Sequence, residues 1–314
     1  MKFIQFYPWW DCGNNCAFCF AKLLKQHKTT KEEQISALDY VLKYLQDIPY
    51  ISNFEVVGLI GGEFFEDQLN DEEVYAKFLM VINQCITLIE QNIIQKLYLM
   101  THLIYPDNRK LTEVINLFKQ HNITKKLLLC TSFDPWGRFH TPSHKQLWWD
   151  NVTYVQSLGV DVHVEMILSQ HLIDAVLSGS LDLLDFIEKD IHIDFLNPQG
   201  FVAEDQTSGD TKEETLQHFG AHWLPTRASF IKFLAYLHEY KITNLHDLFT
   251  LDKRAQELHF IPQHRVQFRD VETYNENIEE DTILPCGHSD RFSFYTDSDK
   301  CMVCDIQNFL QQDD

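Results

Sequence analysis

Between Lys2 and Leu196 the chain alternates six apolar runs of strand length with longer stretches in which apolar residues recur every three or four positions. The runs Lys2–Tyr7, Phe54–Ile60, Lys96–Thr101, Lys126–Ser132, Asp161–Leu168 and Ile191–Leu196 predict strands. The stretches between them predict helices packed on one side. Ile35, Leu38, Val41, Leu42 and Leu45 form one stripe, and Val74, Phe78, Val81, Ile82, Cys85 and Ile89 the next. Leu111–His121, Ser143–Leu158 and His171–Lys189 predict three more. Thr30-Lys-Glu-Glu33 has the form of a capping box, and Asn70-Asp-Glu-Glu73 offers a second helix start. Cys85 lies on an apolar stripe and Cys130 within the fourth run, so both read as packed thiols.

Connections of this length are too long for hairpins and imply parallel strands joined by right-handed crossovers. The predicted fold is therefore α/β, a partial (β/α)6 TIM-like barrel over residues 1–240, followed over 241–314 by a small helical and metal-binding C-terminal extension. From Gln199 to Leu224 the periodicity gives way to Gly, Ser, Thr and acidic residues, which reads as a disordered insertion or a lid over the barrel mouth. Thr226–Tyr240 and Asn244–Leu258 predict two further helices, and Arg269–Asp281 an acidic linker.

In such folds chemistry gathers beyond the carboxyl ends of the strands. Glu63 follows the second strand, Thr101 and His102 the third, Ser132 and Asp134 the fourth, Ser169 the fifth and Asn197 the sixth. Glu165 alternates with the apolar positions of the fifth strand and is placed to point inward.

Composition narrows the setting. With 45% hydrophobic and 13% aromatic residues the 314-residue chain folds around a large core. The opening residues are too few and too polar for a signal-peptide core and no run reaches membrane-spanning length, so a cytoplasmic location is expected. In a reducing compartment the eight cysteines are metal ligands or buried thiols rather than disulfides. A net charge of −20 disfavours a broad electrostatic grip on nucleic acid.

Three of the cysteines stand together in Cys12-Gly-Asn-Asn-Cys16-Ala-Phe-Cys19, just after the first strand. They fall one short of a structural zinc set, whose usual unit is a C-x2-C pair answered by another pair. Three thiolates on one loop instead suit a [4Fe–4S] cluster with one iron left open. This C-x3-C-x2-C loop, together with Gly61-Gly62-Glu63 after the second strand, resembles the radical S-adenosylmethionine (radical SAM) superfamily. The resemblance implies the same partial barrel. It implies a [4Fe–4S] cluster on Cys12, Cys16 and Cys19, and SAM held with its amino group against Gly61, Gly62 and Glu63. By the same resemblance Ser132, Glu165 and Ser169 are candidates for holding the ribose and carboxylate of SAM. The implied chemistry is reductive cleavage of SAM to a 5′-deoxyadenosyl radical that removes a hydrogen atom from a substrate. It needs a one-electron reductant such as flavodoxin or ferredoxin.

Near the C-terminus, Cys286-Gly-His288 and Cys301-Met-Val-Cys304 offer four further ligands in two short arms. Their spacing suits tetrahedral zinc, and an auxiliary iron–sulfur cluster is the alternative. The Gly-Gly-Glu-Phe-Phe continuation and the stretch from Thr131 to Phe139 are similar to radical SAM proteins of phage and bacterial gene clusters. On that ground the first substrate expectation is a nucleotide or nucleobase, free or in DNA or RNA. Radical modification of a peptide or protein side chain is the alternative, and a non-catalytic metal-bearing interaction protein the reading from a different class.

Overall fold

Six parallel strands form one sheet in the order in which they occur in the chain: β1 (Phe3–Phe6), β2 (Val56–Leu59), β3 (Lys96–Met100), β4 (Leu127–Ser132), β5 (Asp161–Ile167) and β6 (His192–Leu196). The computed structural model describes residues 3–19, 28–51, 54–66, 69–196, 220, 222–240, 295–298 and 305. Sequential order matters because every right-handed crossover then passes over the same face of the sheet. A doubly wound sheet reverses direction at a switch point and carries helices on both faces, whereas this one carries them on one and curls about the other. The result is the expected partial (β/α)6 barrel, with β1 and β6 as its two edges among the described residues.

The crossover helices are α1 (Lys31–Ile51), α2 (Glu72–Glu90), α3 (Arg109–Gln120), α4 (Pro142–Ser157), and α5 (Gln170–Leu177) with the short α6 (Leu184–Ile187). Their starts follow from sequence. At α1 the capping box closes, Thr30 N donating to Glu33 Oε2 at 2.7 Å and Glu33 N to Thr30 Oγ1 at 3.3 Å. At α2 the Asp71 carboxylate accepts from Glu73 N and Val74 N. The stripe anticipated for α2 is buried throughout, Cys85 included, and burial pushes the Cys85 thiol up to about 12.

The single helix expected over His171–Lys189 is instead two. Gly179 takes a left-handed φ of +73°, and the hydroxyls of Ser178 and Ser180 both donate to Ala175 O. Hydroxyls that capture the last carbonyls compete with helix propagation, and the glycine ends it at little steric cost. After the sheet, α7 (Arg227–Glu239) packs on α5 through Gln170, whose Oε1 accepts from Thr226 N at 2.7 Å. Arg227 pairs with Asp305 through two 2.6 Å contacts, and Tyr295, fully buried against Phe230, donates to Asp305 Oδ2. Residues assigned from sequence to the extension thus dock directly on α7.

The sheet has two unlike faces. Trp148 of α4 donates to Thr131 Oγ1, so Leu127, Leu129 and Thr131 of β4 face the helices, as do Leu97 and Leu99 of β3 through register. The opposite face carries Tyr98, Cys130, Ser132, His163, Glu165, His192 and Asp194. Register aligns Cys130, His163 and His192 in one layer and Ser132, Glu165 and Asp194 in the next. An apolar outer layer secures the helices, and a polar inner wall is left for a site. No helix among the described residues is long and apolar enough to cross a membrane.

Candidate cofactor site at the carboxyl ends of the strands

The cysteine loop leaves β1 and is gripped by the loops after β2 and β4. Gly62 N donates to Trp9 O at 2.8 Å and Glu63 N to Asp11 O at 2.7 Å, which carries the β1–β2 pairing past the end of the sheet. A Cβ on Gly61 would lie 2.3 Å from Trp9 O, and one on Gly62 would lie 1.9 Å from Asp11 O. Both positions therefore need glycine because the cysteine loop's backbone occupies the space of a side chain. From the β4 side Ala17 N donates to Gly137 O at 2.9 Å and Asn14 Nδ2 to Arg138 O at 3.2 Å, while His140 Nε2 meets Asn14 O. Phe18, directly before Cys19, stacks on Trp223 at 6.4 Å and packs with Ile167 and Leu224. A loop held at so many points presents Cys16 buried and Cys12 and Cys19 half-buried.

The surroundings of the thiols differ. Cys16 Sγ lies 3.0 Å from Asn14 Nδ2 and 3.8 Å from Arg138 Nη1. Arg138 is 4% exposed; its guanidinium also reaches Ser132 Oγ at 2.5 Å, His102 O at 3.1 Å and Thr131 Oγ1 at 3.3 Å. Its Nε is buried with no hydrogen-bond partner among the described residues, and so is Asp134 Oδ2. Burial pushes the Asp134 carboxyl up to about 7.

Cys12 faces carboxylates. Its Sγ, an oxygen of Glu66 and a nitrogen of His102 lie within 4.8 Å of one another. Burial, reinforced by the charge of Glu63, pushes the Cys12 thiol up to about 12. A thiol in that setting holds its proton tightly, and a metal ion that binds it must displace that proton. His102 Nδ1 accepts from Ile104 N at 2.8 Å, which leaves the proton on Nε2, 3.0 Å from Glu66 Oε1.

Glu63 is 1% exposed and its carboxylate is filled from within. Oε1 accepts from Phe64 N and Phe65 N at 2.9 Å each, Oε2 from His102 N at 2.7 Å, and the Thr101 hydroxyl reaches both oxygens. This residue ties the end of β2 to the end of β3. Of the other candidates, Ser132 meets Arg138. Glu165 accepts from Tyr98 OH at 2.6 Å, and burial pushes its carboxyl up to about 7. Ser169 is fully buried as the N-cap of α5, its hydroxyl accepting from Leu172 N. The fold thus brings Gly61, Gly62, Glu63 and, through Arg138, Ser132 to the cysteine loop. Glu165 sits on the inner wall and Ser169 in a cap.

Asn14, Glu66 and Arg138 carry the electrostatics here and were not singled out from sequence. Arg138 had a signal, as a charged residue following a tight Asp-Pro-Trp-Gly turn at a strand's carboxyl end. Cys286, His288, Cys301 and Cys304, Asn197, the helix expected over Asn244–Leu258, the linker over Arg269–Asp281 and most of the stretch from Gln199 to Leu224 lie outside the described residues.

The donor set fits an iron–sulfur cluster. Three cysteines share one preorganised loop, N–H donors reach one sulfur, and the loop packs against aromatic side chains. A single ion on Cys12, Glu66 and His102 would leave Cys16 and Cys19 without a role.

No family model and no curated protein matches the chain. Among solved structures it is similar to native anSMEcpe with bound AdoMet and Cp18Cys peptide, at 15% identity and a TM-score of 0.47, over 76% of this chain and 59% of that one. It is similar to native anSMEcpe with bound AdoMet at 14% identity and a TM-score of 0.48, with the same coverage. Streptococcus suis SuiB bound to precursor peptide SuiA gives 14% identity and a TM-score of 0.47, over 76% of this chain and 45% of that one. The chain thus spans 59% or less of the length of these structures.

Proposed function

We propose that this protein is a radical SAM enzyme whose [4Fe–4S] cluster sits on Cys12, Cys16 and Cys19. The observation that carries the reading is the joining of the two motifs: the cysteine loop and Gly61-Gly62-Glu63 meet backbone to backbone at the carboxyl ends of β1 and β2. When bound, the cluster and SAM supply reductive S–C bond cleavage and a 5′-deoxyadenosyl radical able to abstract a hydrogen atom. The electron comes from a one-electron reductant of the flavodoxin or ferredoxin kind.

The chain's own part is to position and insulate. Asn14 and Arg138 direct N–H groups at Cys16 and withdraw charge from its sulfur. Glu63 orders the Thr101–His102 turn and keeps negative charge beside Cys12, on the side where the amino group of SAM is expected. Phe18, Trp136 and Trp223 wall the loop from water. The buried Nε of Arg138 and Oδ2 of Asp134 are groups that a polar ligand at the barrel mouth can satisfy.

For the substrate we place a peptide or protein side chain ahead of a nucleobase, because the charge of −20 repels a phosphodiester chain at long range. Fluorescence anisotropy with labelled single-stranded DNA and RNA across a salt series tests this ordering. No binding at ~150 mM salt is expected, and tight binding with a steep salt slope would restore the nucleic-acid reading. The reading itself is tested by anaerobic reconstitution of the wild type and Cys16→Ala, followed by dithionite and SAM. Wild type is expected to form 5′-deoxyadenosine and the variant none, and equal product from both would sink the assignment.

A further inference from the structure

At the opposite end of the barrel the inner wall carries a second constellation that the proposed chemistry does not use. His163 of β5 and His192 of β6 are register partners, with ring centroids 4.4 Å apart, and Asp194 lies beside both. His163 Nδ1 is 3.6 Å from Asp194 Oδ2, and His192 Nε2 is 3.1 Å from Asp194 Oδ1. All three ligand atoms fall within 4.8 Å of one another.

We propose that His163, His192 and Asp194 form a mononuclear site for a divalent first-row transition ion of the zinc class. Metal–nitrogen and metal–oxygen bonds of about 2.0–2.1 Å in a tetrahedron put neighbouring ligand atoms roughly 3.3 Å apart. The His192 Nε2–Asp194 Oδ1 separation is close to that edge, while His163 faces the other oxygen of the same carboxylate. The 3.6 Å contact is too long for a hydrogen bond, yet the imidazole nitrogen is turned toward the carboxylate. Two neutral imidazoles and a carboxylate suit zinc or ferrous iron rather than calcium or magnesium, which prefer an all-oxygen set.

The environment admits an ion. The site opens on a recess of about 290 Å³ at the amino ends of β5 and β6, lined also by Asp161 and Asp190. Asp161 is paired with Lys125 at 2.5 Å, and among the described residues the ligand set is His163, His192 and Asp194. His163 and Asp194 are about one-fifth exposed and His192 half exposed, which leaves the ion a path in. Its position states its role: among the described residues β6 is an edge strand, and an ion shared with β5 clips that edge to the sheet.

The test must separate this site from the cysteines, and ligand chemistry does so. Full-length protein with its cluster reconstituted is dialysed against micromolar Co2+, with His192→Ala and Cys286→Ala in parallel. Wild type should bind one Co2+ with visible d–d bands that persist in Cys286→Ala and owe nothing to thiolate-to-metal charge transfer. His192→Ala should lose that equivalent, by more than the ~10–100-fold that loss of a mere supporting residue costs. With the cysteine arm disabled, Zn2+ should raise the melting temperature of Cys286→Ala but not of the double variant Cys286→Ala/His192→Ala. If His192→Ala keeps the wild-type Co2+ count, or if every bound Co2+ carries thiolate charge transfer, the proposal is overturned. Neither outcome touches the cluster on Cys12, Cys16 and Cys19, which is read separately from iron and sulfide content.

Discussion

Cys12 and Cys16 share one loop but stand in opposite electrical surroundings. Cys16 receives the N–H groups of Asn14 and Arg138, whereas Cys12 lies against Glu63, Glu66 and His102. The difference follows from which strand each flank borrows: the positive flank comes from the loop after β4, the negative one from the loops after β2 and β3. It teaches that two thiols four residues apart on one loop are chemically unequal. N–H donors at a cluster sulfur raise its reduction potential, and nearby carboxylates lower it, so the two flanks would together set the potential of the proposed cluster.

Removing a thiol breaks the comparison altogether and has the largest effect. Cys16→Ala should abolish cluster assembly while the circular dichroism stays that of wild type, because the rest of the loop is held by backbone hydrogen bonds.

Next comes Glu63→Ala, which strands the amides of Phe64, Phe65 and His102 in a buried site. A loss on the order of 3 kcal/mol in urea unfolding is expected, together with weaker SAM binding by calorimetry, since each stranded amide costs about 1–3 kcal/mol before relaxation. Unchanged stability would mean that Glu63 does not organise the turn.

A smaller change sharpens the contrast instead. Arg138→Gln takes positive charge from the Cys16 flank, and an EPR-monitored redox titration should show a more negative cluster potential. Glu66→Gln acts on the other flank and should move the potential the opposite way, by less, because Glu66 is partly solvent-screened. Shifts of the same sign in both variants would contradict the two-flank account.

The smallest expected effect lies outside both flanks. Glu165 holds its proton in the folded state up to about pH 7 but only to about 4.5 when unfolded. Between those values the folded state binds more protons, so Glu165's contribution to stability is present at low pH and is lost as pH rises through 7. Glu165→Gln should flatten that part of the stability–pH curve measured by urea melts, leaving the slope that buried Asp134 contributes in the same direction.

Periodicity made the sheet and its crossovers legible, since β1 to β6 and α1 to α4 each bury a face written in one continuous segment. The helix break at Gly179 was missed because Leu181, Leu184 and Phe186 extend an apolar pattern that ignores what Ser-Gly-Ser does to the backbone. In the site, the cysteines and Gly61-Gly62-Glu63 were legible because their chemistry is local. Arg138 beside Cys16 and Glu63 beneath His102 were not, because those contacts join separate strand ends and exist only once the sheet has curled. The glycines show both levels: their presence was readable, but the Trp9 and Asp11 carbonyls that require them were not.

The most direct test of the central claim is iron and sulfide content after anaerobic reconstitution, measured on wild type and on Cys12, Cys16 and Cys19 all changed to Ala. Taking the difference cancels any metal held elsewhere in the chain. The account predicts that wild type holds about four more irons and about four more sulfides than the triple variant, with a [4Fe–4S] EPR signal on reduction that the variant lacks. Equal iron in the two proteins, or a difference of a single iron without sulfide, would contradict it.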